Sequence, residues 1–357
     1  MEKQVYIRDR EIKNYGKPFI IAEIGMNHNG DMELAKKMID AAVEAGADCA
    51  KFQSWTKSSL FSKAIYQNNR TLEKDIDVYS FGFSDTLGTY RTLKAYCDEK
   101  GIIFATSVFN EAEADFFVDE LKMDFIKIAS MDVNNLPFLE YLAKKGKPLV
   151  LSTGLSTLPE IAEAVETITK HTTNLILLHC LSVYPDAQQG LGAGSGGEPD
   201  AGINLNNIEM LQAAFGFPVG FSDNAPGTYI PLAAVAKGAC VIEKHFTVDK
   251  NMSGWDHAIS ADAQDLKTIV EGSQKINAAL GTSQRVLSSK EKNMRTVFRR
   301  SIVFAYDLPA GHIVQRKDLD FKRPGTGIEP KQWSFLVGRS LKRAMKEDEL
   351  VHFEDLV

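Results

Sequence analysis

The sequence is poor in cysteine, has no long apolar run and carries no excess of positive charge, and each shortage removes a class of protein. The four cysteines, Cys49, Cys97, Cys180 and Cys240, show no CxxC spacing. Three of them lie in apolar, strand-like runs, so they read as reduced, buried thiols, which predicts a cytoplasmic protein. Nowhere do about 18 apolar residues follow one another, and residues 1–16 lack an apolar core of signal-peptide length, so nothing directs the chain to a membrane. A net charge of −6 argues against nucleic acid and membrane surfaces as partners, while leaving room for a local basic pocket. No GxGxxG follows the first apolar run, so the dinucleotide-binding open sheet has no support.

The chain has 357 residues, enough for one large α/β barrel and a small extra domain. A repeating pattern occupies most of it. Short apolar runs at 18–22, 48–53, 102–105, 125–130, 148–152, 175–180, 217–223 and 240–245 alternate with helix-period segments near 31–45, 85–100, 111–121, 136–145, 159–170, 205–215, 230–237 and 262–280. Asp31 and Asp262 stand where helix N-caps belong, and Gly46 where a helix stops. Eight such units match a closed (β/α)8 barrel better than a doubly wound sheet. The polar stretch 54–84 is long enough to be a lid or binding loop, and the glycine-rich tract within 190–202 has no packing capacity. Residues 1–281 form the expected barrel and 282–294 a polar linker. Residues 295–357, with short β-like runs and no strand–helix period, form a small β-rich domain.

In a barrel, the carboxyl ends of the strands converge on one face. Glu23, Lys51, Ser107, Lys127, Ser152, His179, Ser182, Ser222 and His245 are therefore expected to ring one pocket, joined from the 239–260 stretch by Asp256. Each alone has an ordinary explanation: a lysine on a solvated rim, a satisfied core histidine, a carboxylate bonded to backbone amides, a residue ending a loop. Lys51 and Lys127 lie inside apolar runs, where an ammonium needs a partner, and with the serines they favour a phosphate site. Convergence points to a metal-assisted or general acid/base site for an anionic substrate, without naming the reaction.

Longer stretches carry a resemblance. IIAEIGMNHNGD, AGADCAKFQ, FIKIASMDVNN, LVLSTG, LLHCLSVYP, VGFSDN, VIEKHFTVDK and KRPGTG together make the chain resemble the sialic acid synthase family, the phosphoenolpyruvate-dependent nonulosonic acid synthases, over nearly its whole length. The resemblance implies a TIM barrel joined to a C-terminal antifreeze-like (SAF) domain, in a domain-swapped homodimer where one chain's SAF domain caps the partner's barrel. It implies condensation of phosphoenolpyruvate with the aldehyde form of an N-acetylated mannose-type sugar, with addition of water and release of phosphate. By the same resemblance, Lys51, Lys127, Ser130, Ser152, Ser222, Ser107 and Ser182 contact phosphoenolpyruvate. Tyr184, Asp256 and the partner subunit's Arg323 contact the sugar. Glu23, Asp256 and His245 are the catalytic group, and a divalent ion, usually Mn2+, is held by His245 and the residue at 224. That residue is Asn224 here, where the family has histidine, and an amide oxygen is a weaker ligand than imidazole. Ser182 stands where the sialic acid branch has asparagine, and the glycine-rich tract is longer than in the family. The expected product is sialic acid or a related nonulosonic acid such as legionaminic acid. The alternatives are a synthase for another aldose, non-acetylated or phosphorylated, and a catalytically weakened sugar-phosphate binder.

Overall fold

The computed structural model describes residues 3–66, 86–182, 202–254 and 256–357. Tyr184, most of the glycine-rich tract and the second half of the expected lid lie outside them. The fold divides into two compact units, Met1–Gly281 and Thr282–Val357.

The first unit opens on a small antiparallel hairpin, β1 (Val5–Ile7) and β2 (Arg10–Ile12), which the polar look of residues 1–17 did not suggest. Its apolar contribution is only Val5, Ile7 and Ile12, all buried. Eight parallel strands then close a barrel: β3 (Phe19–Gly25), β4 (Cys49–Gln53), β5 (Ile103–Ser107), β6 (Ile126–Ile128), β7 (Leu149–Ser152), β8 (Leu175–Cys180), β9 (Val219–Asp223) and β10 (Val241–His245). They neighbour one another in sequence order, and β10 closes on β3. Almost every strand residue is buried because the barrel interior covers one face and the helical ring the other.

Local chemistry accounts for the helix boundaries. The helix Met32–Ala45 starts where the Asp31 carboxylate accepts from the amides of Glu33 and Leu34, and stops at Gly46, whose φ of 84° suits glycine. Its Ala35, Met38, Ile39 and Ala42 form the buried stripe. Asp262 likewise accepts from the amides of Gln264 and Asp265 to begin the helix Ala263–Leu280. The expected helix at 111–121 begins as an α-turn, Glu111–Ala114, and widens into a π-helical segment, Asp115–Glu120. Residues 54–66 carry two single-turn helices, Lys57–Leu60 and Lys63–Tyr66.

Part of the expected linker is structured. The helix Ser289–Phe298 is nucleated by a capping box, in which Glu291 accepts from the amide of Ser288 while the Ser288 hydroxyl accepts from the amide of Glu291. The second unit pairs β11 (Ser301–Phe304) with β12 (Leu319–Lys322) and adds several single bridges. Its own core includes Ile302, Phe304, Val314, Leu336 and Val351. Among the described residues, no helix is long and apolar enough to cross a membrane.

Candidate active site at the carboxyl ends of the strands

Parallel pairing decides which side chains meet. Glu23 is in register with Lys51 on one side and with His245 on the other, Ser107 with Lys127, and Glu243 with Ser222. Registered partners in adjacent strands point to the same side of the sheet, so these seven residues share one face. All seven are buried.

The lysines are held by a short network. Lys51 Nζ lies 2.6 Å from Glu23 Oε2 and donates to Ser107 Oγ at 3.1 Å. Lys127 Nζ donates to Ser152 Oγ at 2.7 Å and to the Ile128 carbonyl at 3.0 Å. Between them sits Glu243, which accepts from Ser222 Oγ at 2.8 Å, with its two oxygens 3.6 Å from Lys51 and 3.7 Å from Lys127. Burial works against the charge on every one of these groups. It wins at Lys127, whose pKa is lowered, and at Glu23, whose pKa is raised. At Lys51 the burial penalty is outweighed by the charges of Glu23 and Glu243, which raise its pKa. At Glu243 it is outweighed by Lys127 and Lys51, which lower it. Two carboxylates thus balance two ammonium groups inside a pocket that also presents three hydroxyls.

A second group adjoins it. His245 Nδ1 lies 3.7 Å from Asp256 Oδ2, and the Asp256 backbone is fixed by the Ser260 hydroxyl, which donates to its carbonyl at 2.6 Å. Ser260 Oγ in turn accepts from Asn27 Nδ2 at 3.0 Å, which ties the loop after β10 to the loop after β3. Ser130 Oγ accepts from the Gly154 amide at 3.0 Å, and Gly154 lets this corner close. A Cβ at position 154 would stand 2.1 Å from Ser182 Oγ and 2.9 Å from Ser130 Oγ. Ser130, Ser182 and the loop after β7 are therefore brought together.

His179 departs from the expected ring. Cys180 is in register with Ser222, so the thiol faces inward and His179 faces the helical layer. There its Nε2 lies 2.5 Å from the Ile203 carbonyl and its ring packs on Phe221. Burial lowers its pKa. The same alternation separates the neighbours in β10, where Glu243 and His245 face inward while Lys244 faces outward and pairs with Asp223 at 2.8 Å. Arg323 belongs to the second unit, where it is exposed with its guanidinium over the Phe298 ring. Tyr184 lies outside the described residues.

Two residues of the site stand outside the expected ring. Glu243 is one. Gln53 is the other: its Nε2 donates to Glu23 Oε1 at 2.8 Å while its Oε1 accepts from Trp55 Nε1 at 3.2 Å, so it orients the carboxylate. Counting by two along a strand, from Lys51 to Gln53 and from His245 back to Glu243, finds both.

The donors available to a metal are limited. Among the described residues, no group of three or more His, Cys, Asp or Glu side chains is arranged to hold a metal ion. Asn224 Nδ2 donates to the Leu181 carbonyl at 3.0 Å, so its amide oxygen is the atom it offers to a cation. One imidazole, a nearby carboxylate and an amide oxygen fit a hard divalent cation that completes its shell with water and substrate oxygens.

The family follows from comparison. A family model described as NeuB family matches residues 38–285, and a SAF domain model matches residues 299–357. The chain belongs to the NeuB family. Among NeuB relatives it is 37% identical over 335 residues to the N,N'-diacetyllegionaminic acid synthase of Legionella pneumophila, with 90% of each chain covered. It is 34% identical over 345 residues to the human N-acetylneuraminate-9-phosphate synthase, covering 95% of this chain and 92% of that one. Among solved structures, the N-acetylneuraminic acid (sialic acid) synthetase of Leptospira borgpetersenii in complex with citrate superposes with a TM-score of 0.71 at 32% identity, over 82% of this chain and 95% of that one. This NeuB chain therefore has the family's TIM barrel followed by a SAF domain.

Proposed function

We propose that the protein is a carbon–carbon bond-forming synthase that condenses phosphoenolpyruvate with an N-acetylated mannose-type aldose, giving a nonulosonic acid and inorganic phosphate. The observation that carries this reading is the pair of buried lysines, Lys51 and Lys127, set among Ser107, Ser152 and Ser222 at the barrel mouth of a NeuB family member. Relatives named as legionaminic, pseudaminic and N-acetylneuraminate-9-phosphate synthases support the product class.

In this reading the lysines and serines bind the phosphate and carboxylate of phosphoenolpyruvate, with Ser130 and Ser182 closing one side. The enol carbon C3 attacks the aldehyde carbon, and the aldehyde oxygen takes up a proton. The positive charge then developing at C2 lies toward Glu23, whose carboxylate stabilises it and orients the water that adds there. Both protons of that water leave, one offsetting the proton taken up by the aldehyde oxygen and one departing with the phosphate, as cleavage of the bond from C2 to the phosphate oxygen releases inorganic phosphate and leaves the 2-keto acid. Gln53 fixes one Glu23 oxygen, and Asp256 moves protons at the sugar end. A divalent cation, manganese in this proposal, held by His245 and Asn224, would polarise the aldehyde oxygen.

Tyr184 contacts the sugar, and the second unit supplies Arg323 to a neighbouring chain in a domain-swapped homodimer working in the cytoplasm. Barrel and SAF domain correspond in this proposal to residues 1–281 and 295–357.

The test is phosphate release from phosphoenolpyruvate with Mn2+ and a panel of aldoses: 2-acetamido mannose, its 6-phosphate and a 2,4-diacetamido-trideoxy analogue. Turnover with one of them is expected, and none with any would overturn the proposal. Asn224→His should tighten Mn2+ binding by at least about tenfold in a calorimetric titration, since imidazole outcompetes an amide oxygen. Unchanged affinity would remove position 224 from the ligand set. Mixing Arg323→Ala with Lys127→Met enzyme should restore activity through hybrid dimers, and no recovery after subunit exchange would count against the swap.

A further inference from the structure

The donors that the proposed function assigns to phosphate already have an anion among them. Glu243 is buried on β10, accepts from Ser222 at 2.8 Å, and holds one oxygen 3.7 Å from Lys127 and the other 3.6 Å from Lys51. These are three of the groups that would hold a phosphoryl dianion. With Glu23 at 2.6 Å from Lys51, the two lysine charges are balanced before any substrate arrives. A phosphate entering this pocket meets ammonium groups that are partly spent and a carboxylate that repels it.

We propose that Glu243 is a built-in competitor for the phosphate position, a positioning residue that holds Lys51, Lys127 and Ser222 in the empty site and drives inorganic phosphate out after the reaction. The inference rests on the phosphoenolpyruvate reading of the site. Phosphoenolpyruvate brings a second anchor, its carboxylate, and can displace Glu243 from the shared donors. Once the C2–O bond is broken, inorganic phosphate has lost that anchor, and Glu243 recovers Lys127 and Ser222. Tethering makes the difference, because a ligand held at two points gains affinity that each half lacks. Competition of this kind weakens phosphate more than phosphoenolpyruvate and keeps product release from limiting turnover.

A purely structural role for Glu243, neutralising two buried lysines, makes the opposite prediction for affinity. Loss of a structural carboxylate disorganises Lys127 and Ser222 and weakens anion binding; loss of a competitor strengthens it. Inorganic phosphate is the probe, titrated calorimetrically into the full-length enzyme and measured as an inhibitor competing with phosphoenolpyruvate. Glu243→Gln, which keeps the shape and removes the charge, should bind phosphate at least about tenfold more tightly than the native enzyme, the order of effect seen when a desolvated like charge is removed from an interface. Its kcat should fall while the KM for phosphoenolpyruvate falls or holds, with a burst of product in the first turnover. Glu243→Asp, which withdraws the carboxylate by one methylene, should lie between the two, and carries the same comparison where the glutamine variant is poorly folded. Adding Lys127→Met to either variant should abolish the gain and so locate it in this pocket. Equal or weaker phosphate binding in the Gln and Asp variants, with native-like binding in the unmodified enzyme, overturns the inference alone. If the unmodified enzyme neither binds phosphate nor turns over any aldose, the functional reading itself falls.

Discussion

Replacing Lys127 with methionine tests the charge balance that organises the site. The side chain is buried, with Nζ on Ser152 and the Ile128 carbonyl and 3.7 Å from Glu243. Methionine fills a similar volume, so the loss is electrostatic: one ammonium against two carboxylates, an uncompensated negative charge in a buried cluster. Breaking a buried ion pair from one side typically costs about 3–5 kcal/mol, because a desolvated charge is left behind. Glu243 keeps Ser222 at 2.8 Å and Lys51 at 3.6 Å, so the lower end applies. At roughly 2 °C of melting temperature per kcal/mol for a unit of this size, the barrel transition should fall by about 6 °C. The decisive measurement is the double variant Lys127→Met with Glu243→Gln, which removes one charge of each sign. It should recover most of the loss, with a coupling energy of about 2–3 kcal/mol in a double-mutant cycle followed by calorimetry. Strict additivity of the two substitutions, or a Lys127→Met melting temperature within about 1 °C of the native value, would refute the balanced-cluster argument.

Three further outcomes are expected. Burial pushes the His28 imidazole down from 6.5 to about 4. The folded state therefore holds it neutral, and the associated stability is complete above pH 6.5 and declines as pH falls toward 4, by about 3 kcal/mol in all at 1.36 kcal/mol per unit. His28→Asn should flatten that part of the melting temperature against pH curve, and an unchanged slope would show that another group sets it. Gly154→Ala should cut kcat/KM for phosphoenolpyruvate by at least about tenfold, because a Cβ 2.1 Å from Ser182 Oγ must displace the corner that carries Ser182 and Ser130, while stability changes by less than about 3 kcal/mol. Full activity in that variant would remove the corner from the site. In the second unit Asp318 is buried and accepts from the Tyr306 hydroxyl, from His312 Nε2 at 2.7 Å and from the Gln315 amide at 2.7 Å. Asp318→Asn should destabilise that unit by about 2 kcal/mol, read as faster amide exchange on β11 and β12, and protection equal to the native level would contradict it.

The barrel was legible because its signals are local. Asp31, Gly46 and Asp262 announce helix ends through chemistry that needs no distant partner, and apolar runs ending in Glu23, Lys51 or His245 reveal both the strands and the face they deliver to. Side-chain parity was not legible. A strand covered on both faces carries no polar alternation, so nothing in Leu-His-Cys at 178–180 tells which of His179 and Cys180 points inward. Glu243, Lys244 and His245 posed the same problem, and there the charges of both faces stand side by side in sequence. Gln53 was hidden for another reason: an uncharged amide near the end of a strand draws no notice until the carboxylate that it orients is located. The β1–β2 hairpin escaped because strands of three residues, half of them polar, fall below any periodic signal.

The alternation in β10 also bears on how this site can change over time. Glu243 and His245 serve the pocket while Lys244, between them, closes an ion pair with Asp223 behind the sheet. One strand therefore carries two charge systems in opposite directions, kept apart only by the period of two. Deleting or inserting a single residue there would send Lys244 into the pocket and bury two acceptor-bearing side chains against apolar helices, a change that no later point substitution could repair singly. Length variation is tolerated where it costs only loop-closure entropy, beyond the strand ends. New substrate preferences in a lineage of such proteins should accordingly arise through loops of altered length and through exchanges at fixed positions, rather than through slippage of the strands that bear the charges.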